Sequence, residues 1–330
     1  MNKAVSVALL FLLAAEVAGV QEDGLRYVQR IHMPSRADDF GNPISLTADL
    51  HTGELFVCDV RLNRVLIFDS DGLFLYMIPG GEVFRAPLDI AVDPEGYILL
   101  LARYELEVRL LLLDFDGKFI RYIAVSGLPA SAAEPDLRSI AMSPAGDRFY
   151  LADEANQHVW ITNRRGEVVG AINLALELSE KEAAEQVLGH VDVYDDTVMV
   201  AVATQGVVFL YDLDGNPKRW VGIRGSAPCQ TMFPTAAGLT ENGQAVIVDL
   251  QRMLIMVWNI RENRCLGEYS GIGNRPGYVY QPHDLALDGA GRVYVSQGFE
   301  GRVQVFAGSE PAAGSDASGA QKEQKQSTET

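Results

Sequence analysis

Apolar and polar positions alternate in four short bursts between residues 44 and 78. Residues 44–48 (Ile-Ser-Leu-Thr-Ala) alternate with period two, and 55–58 (Leu-Phe-Val-Cys) form a continuous apolar run. Residues 64–68 (Arg-Val-Leu-Ile-Phe) follow a polar break, and 73–78 (Leu-Phe-Leu-Tyr-Met-Ile) follow the pair Asp71-Gly72. Period-two alternation marks a strand with one buried face, and a short apolar run between turn residues marks a strand buried on both. The pattern predicts four antiparallel strands joined by tight turns, with Asp71-Gly72 as a type I′ hairpin.

The burst recurs six times. Gly53, Gly96, Gly146, the pair Asp195-Asp196, Gly243 and Gly291 each follow the first apolar run of a unit and stand 43 to 50 residues apart. A second marker, Asp71-Gly72, Asp116-Gly117, Arg165-Gly166 and Asp214-Gly215, keeps the same beat. Six four-stranded units at this period predict an all-β six-bladed β-propeller of antiparallel blades over residues 25–307. The sixth unit, 282–306, supplies only three strands, whereas residues 25–31 alternate well and belong to no unit. The N-terminal strand is therefore expected to pair into the last blade, closing the ring and removing its open edge.

The flanks read differently. Lys3, an apolar run over residues 4–15 and small residues at 17–19 predict a signal peptide over 1–19, with an uncleaved anchor as the competing reading. Residues 308–330 hold no aromatic residue and are expected to be a disordered tail. The predicted location is thus periplasmic or extracellular, without stable membrane insertion once the signal is cut. A net charge of -17 argues against a nucleic-acid partner, since such a field repels phosphates.

Val57, Asp59, the run Asn63-Arg64-Val65, Phe68 and Asp71-Gly72 resemble the NHL repeat, as do residues 281–288 and 291–295. The likeness extends over 42–306 and is weakest in the fourth unit, where Asp195-Asp196 replaces the usual Asp-x-x-Gly. It implies a six-bladed propeller, whose members range from protein or RNA binders to metal-dependent lyases, so fold alone does not select an activity.

Strand polarity places the long blade connections, 126–136, 173–189, 224–233 and 271–281, at the end where inner strands begin, and a capping box at Ser179 predicts a short helix through Val187. The mouth of the axial tunnel is expected at Ile44-Ser45, Leu88-Asp89, Leu137-Arg138, His190-Val191, Thr235-Ala236 and His283-Asp284. His190 and His283 then occupy one repeat position. This resembles the lyase that completes peptide amidation, which holds zinc with three histidines on alternate blades, but the third ligand would fall at Leu88. Asp89, as its strand neighbour, is expected to point the other way. Two imidazoles make a poor zinc site, so no metal, no cofactor and no catalytic residue are expected.

Asp59, Asp153 and Asp249 recur at the ends of second strands and are read as turn-capping carboxylates. No phosphate loop, nucleophile elbow, haem box or helical His-Glu pair occurs. Aromatic and Arg residues in the connections suit a recognition surface. The candidate binding residues are Arg85, Asp89, Arg138, His190, Phe233, Arg275, Tyr280 and His283. The expected function is an exported, monomeric binding or scaffold module for a protein or peptide partner. The alternative is a metal-dependent lyase or hydrolase at the tunnel mouth. Cys229 and Cys265 are placed at opposite ends of a blade, so three unpaired thiols are expected.

Overall fold

The computed structural model describes residues 24–35, 38–105, 107–175 and 185–308. The expected signal peptide, the tail beyond 308 and most of the expected helix at 179–187 lie outside them. No helix among the described residues is long and apolar enough to cross a membrane.

The described chain is all-β, with six sheets of four antiparallel strands. In blade one the strands are Pro43–Ala48, Leu55–Asp59, Arg64–Phe68 and Phe74–Pro79, in that order from the axis outward. The second and third strands are buried along their whole length, as a continuous apolar run requires, while the outer one alternates with solvent. Blade six is completed by Leu25–Ile31, which pairs with Arg302–Gly308 from Leu25 opposite Gly308 to Ile31 opposite Val303. The ring closes as the unpaired N-terminal strand demanded.

The Asp-Gly hairpins differ from expectation. Only the glycines have positive φ, 81° at Gly72, 76° at Gly117 and 87° at Gly166 and Gly215, while the residue before each does not. The Gly72 N–H donates to the Asp69 carbonyl, and a register shift follows at Phe68. This is a type I turn closed by a glycine bulge, the three-residue hairpin rather than the two-residue one. The cause lies two residues upstream: the Asp69 carboxylate accepts the N–H groups of Asp71 and Leu73, and Asp114, Asn163 and Asp212 repeat the arrangement.

The core lies between blades. Phe56 and Ile67 of blade one meet Ile90 and Leu100 of blade two, and Leu55 and Phe68 meet Tyr294 and Val303 of blade six. Each fully buried Leu, Ile or Phe contributes about 1.5–3 kcal/mol, so stability is distributed around the ring through neighbour contacts. Asp59, Asp153 and Asp249 are fully buried. Their carboxylates accept N–H bonds from the preceding blade connection, from Gly41 and Asn42, from Asp136, and from Met232 and Phe233 respectively. These aspartates pin the connections to the second strands.

The thiol expectation is overturned: Cys229 and Cys265 form a disulfide with Cα atoms 5.6 Å apart. The connection over 222–233 does not stay at the rim but lies against the outer strand of blade five, Arg264–Tyr269. The Cys229 N–H donates to the Glu268 carboxylate at 2.6 Å, and Arg252 bridges Glu268 and the Gln230 carbonyl. Cys58 is the remaining thiol, fully buried, with burial and then the charges of Asp89 and Asp284 pushing it well up. A buried, protonated thiol is inert. Alkylation with mass readout is expected to modify no cysteine in the native protein, one after denaturation, and three after denaturation with reduction; labelling of Cys58 in the native state would contradict its burial.

Candidate functional site

Five of the six inner strands carry a β-bulge near their start, and the bulge decides which side chain enters the axis. In blade one Pro43 opposes Asp59 and Ser45 opposes Cys58, leaving Ile44 extra; blades three and five leave Arg138 and Thr235 extra in the same way. In blade two Leu88 is extra and Asp89 faces Leu101, and in blade four Gly189 and His190 together oppose Ala201. In blade six His283 and Asp284 bracket Ser296 through backbone bonds. The axial ring is therefore Ser45, Asp89, Ser139, His190, Ala236 and Asp284. A bulge sets two residues against one partner and re-aims the side chains beyond it, which corrects the expectation that Asp89 points away. His190 and His283 are not equivalent; His190 corresponds to Asp284. Gly189 is required at its bulge, because a Cβ there would sit 2.4 Å from the Thr235 carbonyl oxygen.

The ring binds the blades together. Asp89 accepts the Ser45 hydroxyl, the Ser139 hydroxyl at 2.6 Å and the Ile140 N–H at 2.7 Å, linking blades one, two and three. Ser139 Oγ accepts the Val191 N–H of blade four at 3.0 Å, and Asp284 accepts the Leu46 N–H of blade one at 2.8 Å. Across the axis, His190 Nδ1 lies 3.5 Å from Asp284 Oδ2 and 3.7 Å from Asp89 Oδ2. Asp89 and Asp284 are 3% exposed.

Below the ring lies a cavity of about 340 Å³. Its walls are the later residues of the inner strands, including Ile90, Ala141, Ala237 and Leu285, and its far end is formed by the turns at Asp49–His51, Asp93–Pro94 and Ser143–Pro144. It thus extends away from the long connections. Asp192, two residues beyond His190 and hence on the same strand face, also lines it.

Charges here are strongly perturbed. Burial pulls His190 down, but the carboxylates of Asp284 and Asp89 outweigh it and raise the imidazole to about 9. Burial raises Asp89 as well, yet His190 and the Ser139 and Ser45 hydroxyls hold it below the ordinary carboxyl range. Burial raises Asp284 to about 7, opposed by His190 and aided by the Asp89 charge, and raises Asp192 to about 6. His283 sits lower than usual because of burial and the nearby His190 charge.

Of the eight candidate residues, the structure brings together Asp89 and His190 and adds Asp284, with His283 adjacent. The others are dispersed around the loop end of the ring. Arg85 is exposed with its guanidinium 5.9 Å from the Tyr104 ring centre, and Arg138 pairs with Asp136 at 2.7 Å. Arg275 is exposed, and Tyr280 packs on Phe299 at 5.8 Å between ring centres. Phe233 lines a second cavity of about 580 Å³ with Arg224, Met232, Thr204 and Gln251. Ser45 and Asp284 were expected at the tunnel mouth but not among the binding candidates, and Ser139 was not expected there, because the bulge offset that selects one residue of each pair is invisible in a linear alignment of units.

No protein-family model matches the chain, and no curated protein does. Among solved structures, a structural genomics protein of unknown function from Bacteroides thetaiotaomicron VPI-5482, determined at 1.70 Å resolution, matches with a TM-score of 0.64 at 15% identity. The match covers 87% of this chain and 76% of that one. At that identity the likeness is one of fold, and the class it supports is the six-bladed β-propeller of four-stranded antiparallel blades.

Proposed function

We propose that this chain is an exported NHL-type propeller that binds a protein or peptide partner at the loop end of its ring, around the connection over 222–233. The observation that carries this reading is the bracing of that connection. The Cys229–Cys265 disulfide and the Arg252 bridge to Gln230 and Glu268 hold it against blade five, beside the cavity that Arg224, Met232 and Phe233 line. A fixed loop presenting Arg and apolar anchors loses little entropy on binding, and such residues dominate interface energetics. A disulfide also suits the oxidising compartments to which the expected signal segment would lead.

Capture from a native envelope extract tests the reading. Replacing Arg224→Glu together with Met232→Asp is expected to weaken capture of the partner about a hundredfold while leaving the melting curve unchanged. Capture unaffected by that pair refutes it. A second reading, a metal-dependent lyase or hydrolase working in the axial pocket, is favoured by the convergence of Asp89, His190 and Asp284 within it. Chelator-sensitive turnover that disappears in His190→Ala would place that reading first.

A further inference from the structure

The axial cluster brings three metal-ligating side chains together in one buried ring. Ligand atoms of Asp89, His190 and Asp284 all lie within 4.8 Å of one another. The imidazole Nδ1 is 3.5 and 3.7 Å from the two carboxylate oxygens, whereas N–H···O bonds end near about 3.2 Å. Two donors bound to one ion at about 2.0–2.2 Å stand roughly 3.0–3.5 Å apart, so a small inward movement closes the gap.

We propose that Asp89, His190 and Asp284, one residue each from blades two, four and six, hold a single first-row divalent transition ion such as zinc or manganese at the inner end of the axial cavity. The charges balance once the ion displaces the His190 proton to solvent: two carboxylates and a neutral imidazole then offset a divalent cation in a site where an uncompensated charge would be costly. The donor set also selects the ion. Calcium takes six to eight oxygen ligands and magnesium keeps several waters, while imidazole with carboxylate suits transition metals. Both carboxylates are oriented from behind, Asp89 by Ser45, Ser139 and Ile140 and Asp284 by the N–H groups of Leu46 and Leu285 at 2.8 Å, the support that ligating carboxylates need. Three ligands from one ring leave the cavity side available to water or a small ligand. The site is independent of partner docking at the loop end and does not require that the pocket turn over a substrate.

Calorimetric titration of chelator-treated full-length protein with Zn²⁺, Mn²⁺ and Ca²⁺ tests it. The expected result is one Zn²⁺ or Mn²⁺ per chain, bound at least about a hundredfold more weakly by His190→Ala and by Asp284→Asn, unchanged in His283→Ala and His51→Ala, with Ca²⁺ far weaker. Absence of transition-ion binding, binding retained in His190→Ala, or equal loss in His283→Ala overturns the proposal. Should the His190 variant not fold, Co²⁺ bound to the wild-type protein reads the ligand set by NMR: one contact-shifted imidazole is expected, and none or two would overturn the assignment.

Discussion

Deletion of residues 25–31 is expected to lower the melting temperature by roughly 10 °C or more, or to prevent folding. The strand contributes a full edge to blade six, pairing from Leu25 to Ile31 with Arg302–Gly308. Ile31 is 1% exposed and packs with Leu55, Phe68 and Val303, so its loss affects the contact between blades six and one as well as the sheet. Loss of that apolar burial together with exposure of a row of ladder groups amounts to several kcal/mol, and in a domain of this size each kcal/mol moves the midpoint by about 2–4 °C. Thermal unfolding followed by circular dichroism measures it. A midpoint within about 2 °C of the full chain would show that the ring does not depend on this strand.

Asp89→Ala is expected to be the most damaging single substitution in the axial ring, at about 3–5 kcal/mol in urea unfolding of chelator-treated protein. It removes the acceptor shared by Ser45, Ser139 and Ile140 and leaves those donors buried in the seams of three blades. It also removes one of the two carboxylates facing His190. Unsatisfied buried donors each cost about 1–3 kcal/mol, so the effect should exceed that of Ser139→Ala, for which about 1 kcal/mol is expected. A cost below about 1 kcal/mol for Asp89→Ala would mean that its carboxylate does not tie blades one, two and three together.

Local pattern determined the repeat, the strand order within each blade and the ring closure, because two-sided burial forces continuous apolar runs and an unpaired edge needs a partner. It also marked Asp59, Asp153 and Asp249 as structural, since recurrence at one position of a repeat reflects a demand of the repeat. The outcome was different wherever a shift of one residue mattered. Bulges at Leu88 and Gly189, and the paired backbone bonds of His283 and Asp284 to Ser296, turned Asp89, His190 and Asp284 inward, and such offsets register only when the opposing strand is in place. The glycine hairpins took their geometry from an upstream Asp or Asn side chain for a related reason, because side-chain capping competes with the turn type that a dipeptide prefers. The disulfide likewise depended on where a twelve-residue connection, 222–233, came to rest, and that was set by Glu268 and Arg252 on a neighbouring blade. The axial cluster draws its members from positions 89, 190 and 284. Only closure of the ring brings those three residues within reach of one another, so the site is a property of the tertiary structure.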